Sequence, residues 1–189
     1  MIVIVNMCGR RKERYCIVHL VNTFKKYNVP FILVDSIDQV LHKPQGIIIS
    51  GSPIRFTRRI GQSSMKRILV AVHLHLTFPD VPILGICFGF QLLNLLYGGS
   101  IKPFGRLVCE KHDDLEYCFN DYIDKVGDGF RKTKHVTVDG RKITCVVSCP
   151  KRHITGYLFH SEATDLDRNG WIRKWIKASY EFRRATNIP

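Results

Sequence analysis

The 189-residue sequence predicts an α/β fold: an open, mostly parallel sheet with helices on both faces and antiparallel additions in the C-terminal third. The first supporting observation is that short β-branched runs alternate with amphipathic, helix-length segments in the first hundred residues. The second is a change after about residue 100 to short alternating runs, which are typical of antiparallel strands. Strands that alternate with helices favour parallel β-α-β units, and hence a sheet covered by helices.

Four buried strands are expected in the first half of the chain, at 2–6, 30–36, 46–53 and 82–86. They are rich in Ile, Val and Leu, as strands of a covered parallel sheet must be. Helices are expected between and after them, at about 13–27 and 64–77 and in the segment that ends at Gly98-Gly99. Ser63 or Ser64 is the candidate N-cap of the second helix, because a serine hydroxyl satisfies backbone N–H groups in a first turn.

The hydrophobic pattern of the sequence changes between about residues 100 and 160. The runs LEYCF, KHVTV, ITCVVS and ITGYLFH predict antiparallel strands added to one edge or end of the sheet. A last helix is expected at about 166–184. Since no repeat, low-complexity segment or linker interrupts the chain, residues 1–189 are expected to form a single domain.

The composition, with 45% hydrophobic and 24% charged residues, indicates a globular protein and not a disordered one. No apolar stretch reaches the roughly 18 residues that a membrane span requires. The opening MIVIV is too short for a secretory signal, so a cytoplasmic protein is expected. In that compartment the seven cysteines are expected to be reduced thiols.

The net charge of +13 comes from 29 Lys and Arg against 16 Asp and Glu. These basic residues are scattered, and no run exceeds three. A solvated basic surface is the simplest interpretation, while contact with nucleic acid or with an acidic partner protein remains an alternative.

The segment Gly85-Ile86-Cys87-Phe88-Gly89 carries the strongest functional signal. A buried strand passes directly into a helix, with glycines on both sides of one cysteine, which is the pattern of a nucleophile on a tight turn. The N-terminus of the following helix would stabilise a thiolate at Cys87. The backbone N–H of Phe88 would face a developing oxyanion. An ordinary buried thiol is the alternative interpretation.

A cysteine nucleophile needs a base, and the base needs an orienting group. The segment Gly156–Glu162 offers both, because His160 follows an apolar run and Glu162 comes two residues later. In an extended chain these two side chains project to the same side. The other histidines lack a comparable context and are expected on the surface or in the core.

Taken together, these segments resemble the class I glutamine amidotransferases. GICFGFQLL resembles that family's nucleophile turn, YLFHSEATD its His-Glu segment, and GIIISGSP its strand-to-oxyanion-loop segment. The order and spacing also agree, and the resemblance extends over nearly the whole chain. It implies the flavodoxin-like class I amidotransferase fold and the release of ammonia from L-glutamine.

The resemblance is nearest to the glutaminase part of GMP synthetase, because Phe119–Val126 resembles a segment of that branch. It implies three groups of site residues: catalytic Cys87, His160 and Glu162, an oxyanion hole at Gly51, Ser52 and Phe88, and substrate contacts at Gln91, Asp121 and Tyr122. The chain departs from the family pattern at Ser52, at Ser161 and at Asp121-Tyr122. Ser52 would shift the oxyanion loop if that position requires a positive φ.

No metal and no cofactor are expected. Cys145, Cys149 and His153 would supply three ligands without a clear fourth, and no glycine-rich phosphate loop is present. The expected partners are L-glutamine and a separate ATP-dependent synthetase that consumes the ammonia. The alternatives are a γ-glutamyl hydrolase or peptidase-like enzyme of the same fold, and a basic binding module for nucleic acid or an acidic protein.

Overall fold

A computed structural model of the chain describes residues 1–8, 14–112, 115–160 and 170–186. The strands in these ranges are β1 (Ile2–Val5), β2 (Phe31–Val34), β3 (Gly46–Ile49), β4 (Ile83–Ile86), β5 (Ser100–His112), β6 (Leu115–Lys125), β7 (Arg131–Val138), β8 (Arg141–Cys149) and β9 (Ile154–Tyr157). The α-helices are α1 (Arg14–Lys26), α2 (Gln62–Thr77), α3 (Phe88–Leu96) and α4 (Trp171–Thr186).

Seven strands form the main sheet in the spatial order β2-β1-β3-β4-β9-β8-β7. The first five of these are mutually parallel, and β8 and β7 continue the sheet in antiparallel pairing. The α/β class with a mostly parallel sheet is therefore confirmed. The four early strands lie where they are expected, each one to four residues shorter than the apolar run that predicts it. The expected burial of β2 is wrong, because β2 is an edge strand and only Val34 in it is buried.

Two parts of the C-terminal third differ from the sequence prediction. Strand β9, expected among the antiparallel additions, does pair antiparallel with β8, but it also pairs parallel with β4 and so lies inside the main sheet. Strands β5 and β6 pair only with each other, in a separate two-stranded antiparallel sheet. A short apolar run has the same pattern in either direction of pairing, so periodicity could not show that β9 completes the parallel core.

The helices agree with the prediction apart from their ends. Helix α2 begins two residues before Ser64, with Gly61 at the N-cap, so neither Ser63 nor Ser64 caps it. Helix α3 ends at Leu96 and is followed by Gly98 at a φ of 75°, the left-handed conformation that a helix-ending glycine supplies. The part of the last helix expected before residue 170 lies outside the described residues. Within the described ranges, no helix is both long and apolar enough to cross a bilayer.

The prediction that all cysteines are reduced thiols is wrong for one pair. Cys109 and Cys118 lie directly opposite each other on β5 and β6, with their Cα atoms 4.3 Å apart, and form a disulfide. This pairing depends on strand register, which the spacing of cysteines along the chain does not reveal. Cys87 and Cys149 are buried thiols outside the disulfide.

Candidate active site

Cys87 lies between the last residue of β4 and the first residue of α3. Its backbone has φ 49° and ψ −103°, a conformation that L-residues rarely adopt. The Cys87 N–H donates to the carbonyl of Tyr157 at 2.6 Å, which ties the turn to the end of β9. A strained backbone held by its surroundings is typical of functional positions, and here it carries the candidate nucleophile.

Glycines allow this turn because α3 packs directly on the sheet. A Cβ at Gly89 would collide with the backbone carbonyl of Ile49 on β3, and a Cβ at Gly85 would lie 2.7 Å from the carbonyl oxygen of Gly89. A Cβ at Gly156 would enter the ring of Phe90. The glycines on both sides of the cysteine therefore serve close packing, which brings the N-terminus of α3 to the carboxyl end of β4.

His160 is buried and lies three residues beyond the end of β9. Since β9 runs parallel to β4, with Tyr157 opposite Ile86, Cys87 and His160 both follow the carboxyl ends of neighbouring strands. Adjacent parallel strands deliver the residues that follow them to the same edge of the sheet, where open α/β folds bind ligands. The expected orienting group, Glu162, lies outside the described residues.

The candidate oxyanion loop, Gly51-Ser52, follows β3 at the same edge and is buried. The Ser52 hydroxyl donates to the carbonyl of Met7 at 3.0 Å and accepts from the N–H of Ile54 at 3.2 Å. The Cys8 thiol donates to the carbonyl of Gly51 at 3.3 Å. Ser52 does not have a positive φ, so a serine fits this position without left-handed strain. The loop is thus anchored to the chain that leaves β1.

Phe88, whose N–H is the other candidate oxyanion donor, has a fully buried ring. This ring stacks on Phe56, with centroids 4.3 Å apart and planes 7° from parallel. Phe56 belongs to the segment after the Gly51-Ser52 turn, so this segment packs directly on the residue that follows Cys87.

Strand β6 lies beside the nucleophile. The Cys87 thiol donates to the backbone carbonyl of Cys118 at 3.6 Å. The Gln91 side-chain amide donates to the backbone carbonyl of Asp121 at 2.7 Å. The ring of Tyr122 packs against Phe104, with centroids 6.0 Å apart. The structure thus brings Gln91 and Asp121 together at this site, while the Tyr122 ring contacts β5.

The Asp121 carboxylate, 2% exposed, is bound by the loop that follows Ser52. Arg55 donates to it from Nε at 3.1 Å and from Nη2 at 2.8 Å. The Thr57 hydroxyl donates to the same oxygen at 2.8 Å. Sequence reasoning missed Arg55 and Thr57, because these partners lie more than 60 positions from Asp121 and no local pattern pairs them. It also missed Phe56, whose partner is Phe88.

One buried histidine lies apart from this site. His75 is buried on α2 and hydrogen-bonds the Tyr97 hydroxyl, beyond the far end of α3 from Cys87. Burial lowers the pKa of His75, and the positive charge of Arg152 lowers it further. In the described part of the chain, no group of three or more His, Cys, Asp or Glu residues is arranged to hold a metal ion.

The family model for class I glutamine amidotransferases matches residues 13–171, which is most of the chain. The chain belongs to the class I glutamine amidotransferase family. Among curated relatives of this amidotransferase, a glutamine-hydrolysing GMP synthase from Syntrophomonas wolfei is 28% identical over 140 residues, covering 65% of this chain and 25% of the relative. Another, from Halothermothrix orenii, is 29% identical over 170 residues, covering 80% of this chain and 30% of the relative.

Solved structures show the same fold for this amidotransferase. A protein from Thermoplasma acidophilum, assigned as one of the subunits of a GMP synthase, superimposes with a TM-score of 0.72 at 16% identity, covering 99% of this chain and 97% of that one. A glutamine amidotransferase from Thermotoga maritima gives a TM-score of 0.63, also at 16% identity, covering 100% of this chain and 86% of that one. By contrast, the amidotransferase spans only about a quarter of the length of the first curated GMP synthases it matches.

Proposed function

We propose that this amidotransferase hydrolyses L-glutamine to glutamate and ammonia through a γ-glutamyl thioester on Cys87, and that the ammonia serves a separate synthetase. The observation that carries the proposal is the position of Cys87. It lies in a strained turn at the N-terminus of α3, at the sheet edge that His160 also reaches. Family membership supports glutamine as the substrate.

In the proposed reaction, the Cys87 thiolate attacks the side-chain carboxamide carbon of glutamine and forms a tetrahedral intermediate. His160 gives a proton to the amide nitrogen, and the C–N bond breaks. Ammonia departs, and a γ-glutamyl thioester remains on Cys87. His160 then accepts a proton from water, the resulting hydroxide attacks the thioester, and glutamate and the free thiol are released. Glu162 is proposed to orient His160 and to stabilise its charged form.

The negative charge that develops on the carboxamide oxygen needs preorganised donors. We assign this role to the backbone N–H groups of the Gly51-Ser52 turn and of Phe88. The anchoring of Ser52 to Met7 and the stacking of Phe88 on Phe56 support the assignment, because both hold the donors in place before substrate arrives. Gln91 and the Asp121-Tyr122 segment are proposed to line the site of the bound glutamine.

Stoichiometry with purified protein tests the activity itself. The amidotransferase should release glutamate and ammonia from glutamine in equal amounts, and γ-glutamyl peptides assayed alongside should be poor substrates. Efficient cleavage of γ-glutamyl peptides with little glutamine hydrolysis would instead indicate a γ-glutamyl hydrolase of the same fold.

The proposed partner is an ATP-dependent synthetase of the GMP synthetase type, carried on a separate polypeptide. The curated GMP synthases are about four times as long as the region they share with this chain, which leaves room in them for an ammonia-using part. We propose that the basic surface of the amidotransferase docks an acidic synthetase. The edge hairpin β7–β8 is one candidate contact, with Arg131, Lys132, Arg141 and Lys142 exposed.

Salt should weaken this association if charge drives it. Added synthetase is expected to raise glutamine turnover at low ionic strength, and the increase should decline as salt shortens the screening length below about 10 Å, its value at 0.1 M. Lys132→Glu combined with Lys142→Glu should reduce the increase, whereas Lys66→Glu, at an exposed position on α2, serves as the matched control. Full turnover of the isolated chain that is indifferent to salt and to synthetase would contradict the partner proposal. Salt-dependent binding to nucleic acid without glutaminase activity would favour a basic binding module.

A further inference from the structure

Asp121 is a buried carboxylate whose hydrogen bonds all join β6 to one loop. Arg55 and the Thr57 hydroxyl donate to Oδ1 at 2.8–3.1 Å, and the Thr57 N–H lies 3.4 Å from Oδ2. An exposed pair of this kind contributes little, but Asp121 is 2% exposed and Arg55 only 18%. Removing one partner of such a pair leaves a buried charge without compensation, so the position of the loop depends on the pair.

The same loop reaches the nucleophile through Phe56, which lies between Arg55 and Thr57 and stacks on Phe88. Phe88 directly follows Cys87. On the other side, the Gln91 amide of the same helix donates to the backbone carbonyl of Asp121. A closed ring of contacts thus runs from β6 through the loop to the N-terminus of α3 and back to β6.

We propose that Asp121 is a positioning residue, whose carboxylate clamps the 55–57 loop so that Phe56 fixes Phe88 and its backbone N–H as oxyanion donor. The carboxylate acts through the loop. This inference rests on the proposed glutaminase function. It predicts an effect on the transition state, and therefore on kcat, with little change in KM.

The kinetic test uses Asp121→Asn, Arg55→Ala, the double variant and Arg55→Lys in the full chain. Each of the first two should lower kcat by about 10- to 100-fold and leave KM within about 2-fold, and the double variant should be no worse than the poorer single variant. Arg55→Lys should recover only part of the loss, because an ammonium does not reproduce the forked guanidinium geometry. Asp124→Asn is the matched control, since Asp124 is on the same strand and makes an exposed ion pair with Lys102. It should retain full activity.

A second readout does not depend on turnover. Amide hydrogen exchange should accelerate at residues 54–57 and at Phe88 in Asp121→Asn, and remain unchanged there in Asp124→Asn. If the parent chain does not hydrolyse glutamine but the exchange pattern appears, the clamp is supported and the proposed function fails. Unchanged exchange at Phe88, additive kinetic losses, or a raised KM at constant kcat would each overturn the positioning role of Asp121.

Discussion

Replacing Cys87 with alanine is expected to abolish glutamine hydrolysis while leaving the fold intact. Without the thiolate no thioester can form, and loss of a nucleophile that acts together with its base lowers kcat by about 10⁴-fold or more. The fold should survive because the thiol takes no part in the backbone hydrogen bond between the Cys87 N–H and the Tyr157 carbonyl, or in the close packing of α3 on the sheet.

Steady-state glutamate release, with circular dichroism and thermal unfolding as fold checks, measures this effect. Cys149→Ala is the matched control, because Cys149 is also a buried thiol but lies opposite Ile154, at the other end of β9. It should keep full activity. Wild-type turnover by Cys87→Ala would show that the nucleophile assignment is wrong.

Replacing His160 with alanine is expected to cost about as much as losing the nucleophile, because members of a catalytic triad act as a unit. Glu162→Ala should cost less, since the imidazole can partly keep its orientation without the carboxylate. Measuring kcat/KM for His160→Ala, Glu162→Ala and Cys87→Ala shows whether the losses of activity follow this order.

His42→Ala, at an exposed position far along the chain from the proposed triad, is the control and should behave as wild type. If His160→Ala retained a substantial part of wild-type kcat/KM, another group would have to serve as the base. A Glu162→Ala loss larger than that of His160→Ala would contradict the orienting role of the carboxylate.

The parallel half of the fold could be predicted from sequence because its signals are local. Strands β1, β3 and β4 are short apolar runs buried on both faces, and the α-helix that follows each of them shows its own periodicity. Strand direction in the last third is not local information. Strand β9 pairs antiparallel with β8 on one side and parallel with β4 on the other, so the antiparallel expectation for this run was right on one side only. The run itself does not show that β4 has a free edge, because that depends on how the rest of the chain is placed.

The candidate site likewise has features that the local sequence predicts and features that depend on residues far along the chain. The turn at Cys87 could be predicted because the glycines that allow it are its immediate neighbours. The fit of Ser52 could not, because it depends on the carbonyl of Met7 across the sheet edge. The Arg55–Asp121 pair is likewise invisible in sequence, since a buried ion pair has no spacing rule when its members lie 66 residues apart.

The most direct measurement is the mass of the peptide that contains Cys87 after the purified chain is mixed with glutamine and quenched in acid. We expect one added γ-glutamyl group on Cys87, removable by hydroxylamine as a thioester is, and no adduct in Cys87→Ala. Glutamate release accompanied by an adduct on a different cysteine, or by none under conditions that trap thioesters, would contradict the proposal that Cys87 is the nucleophile.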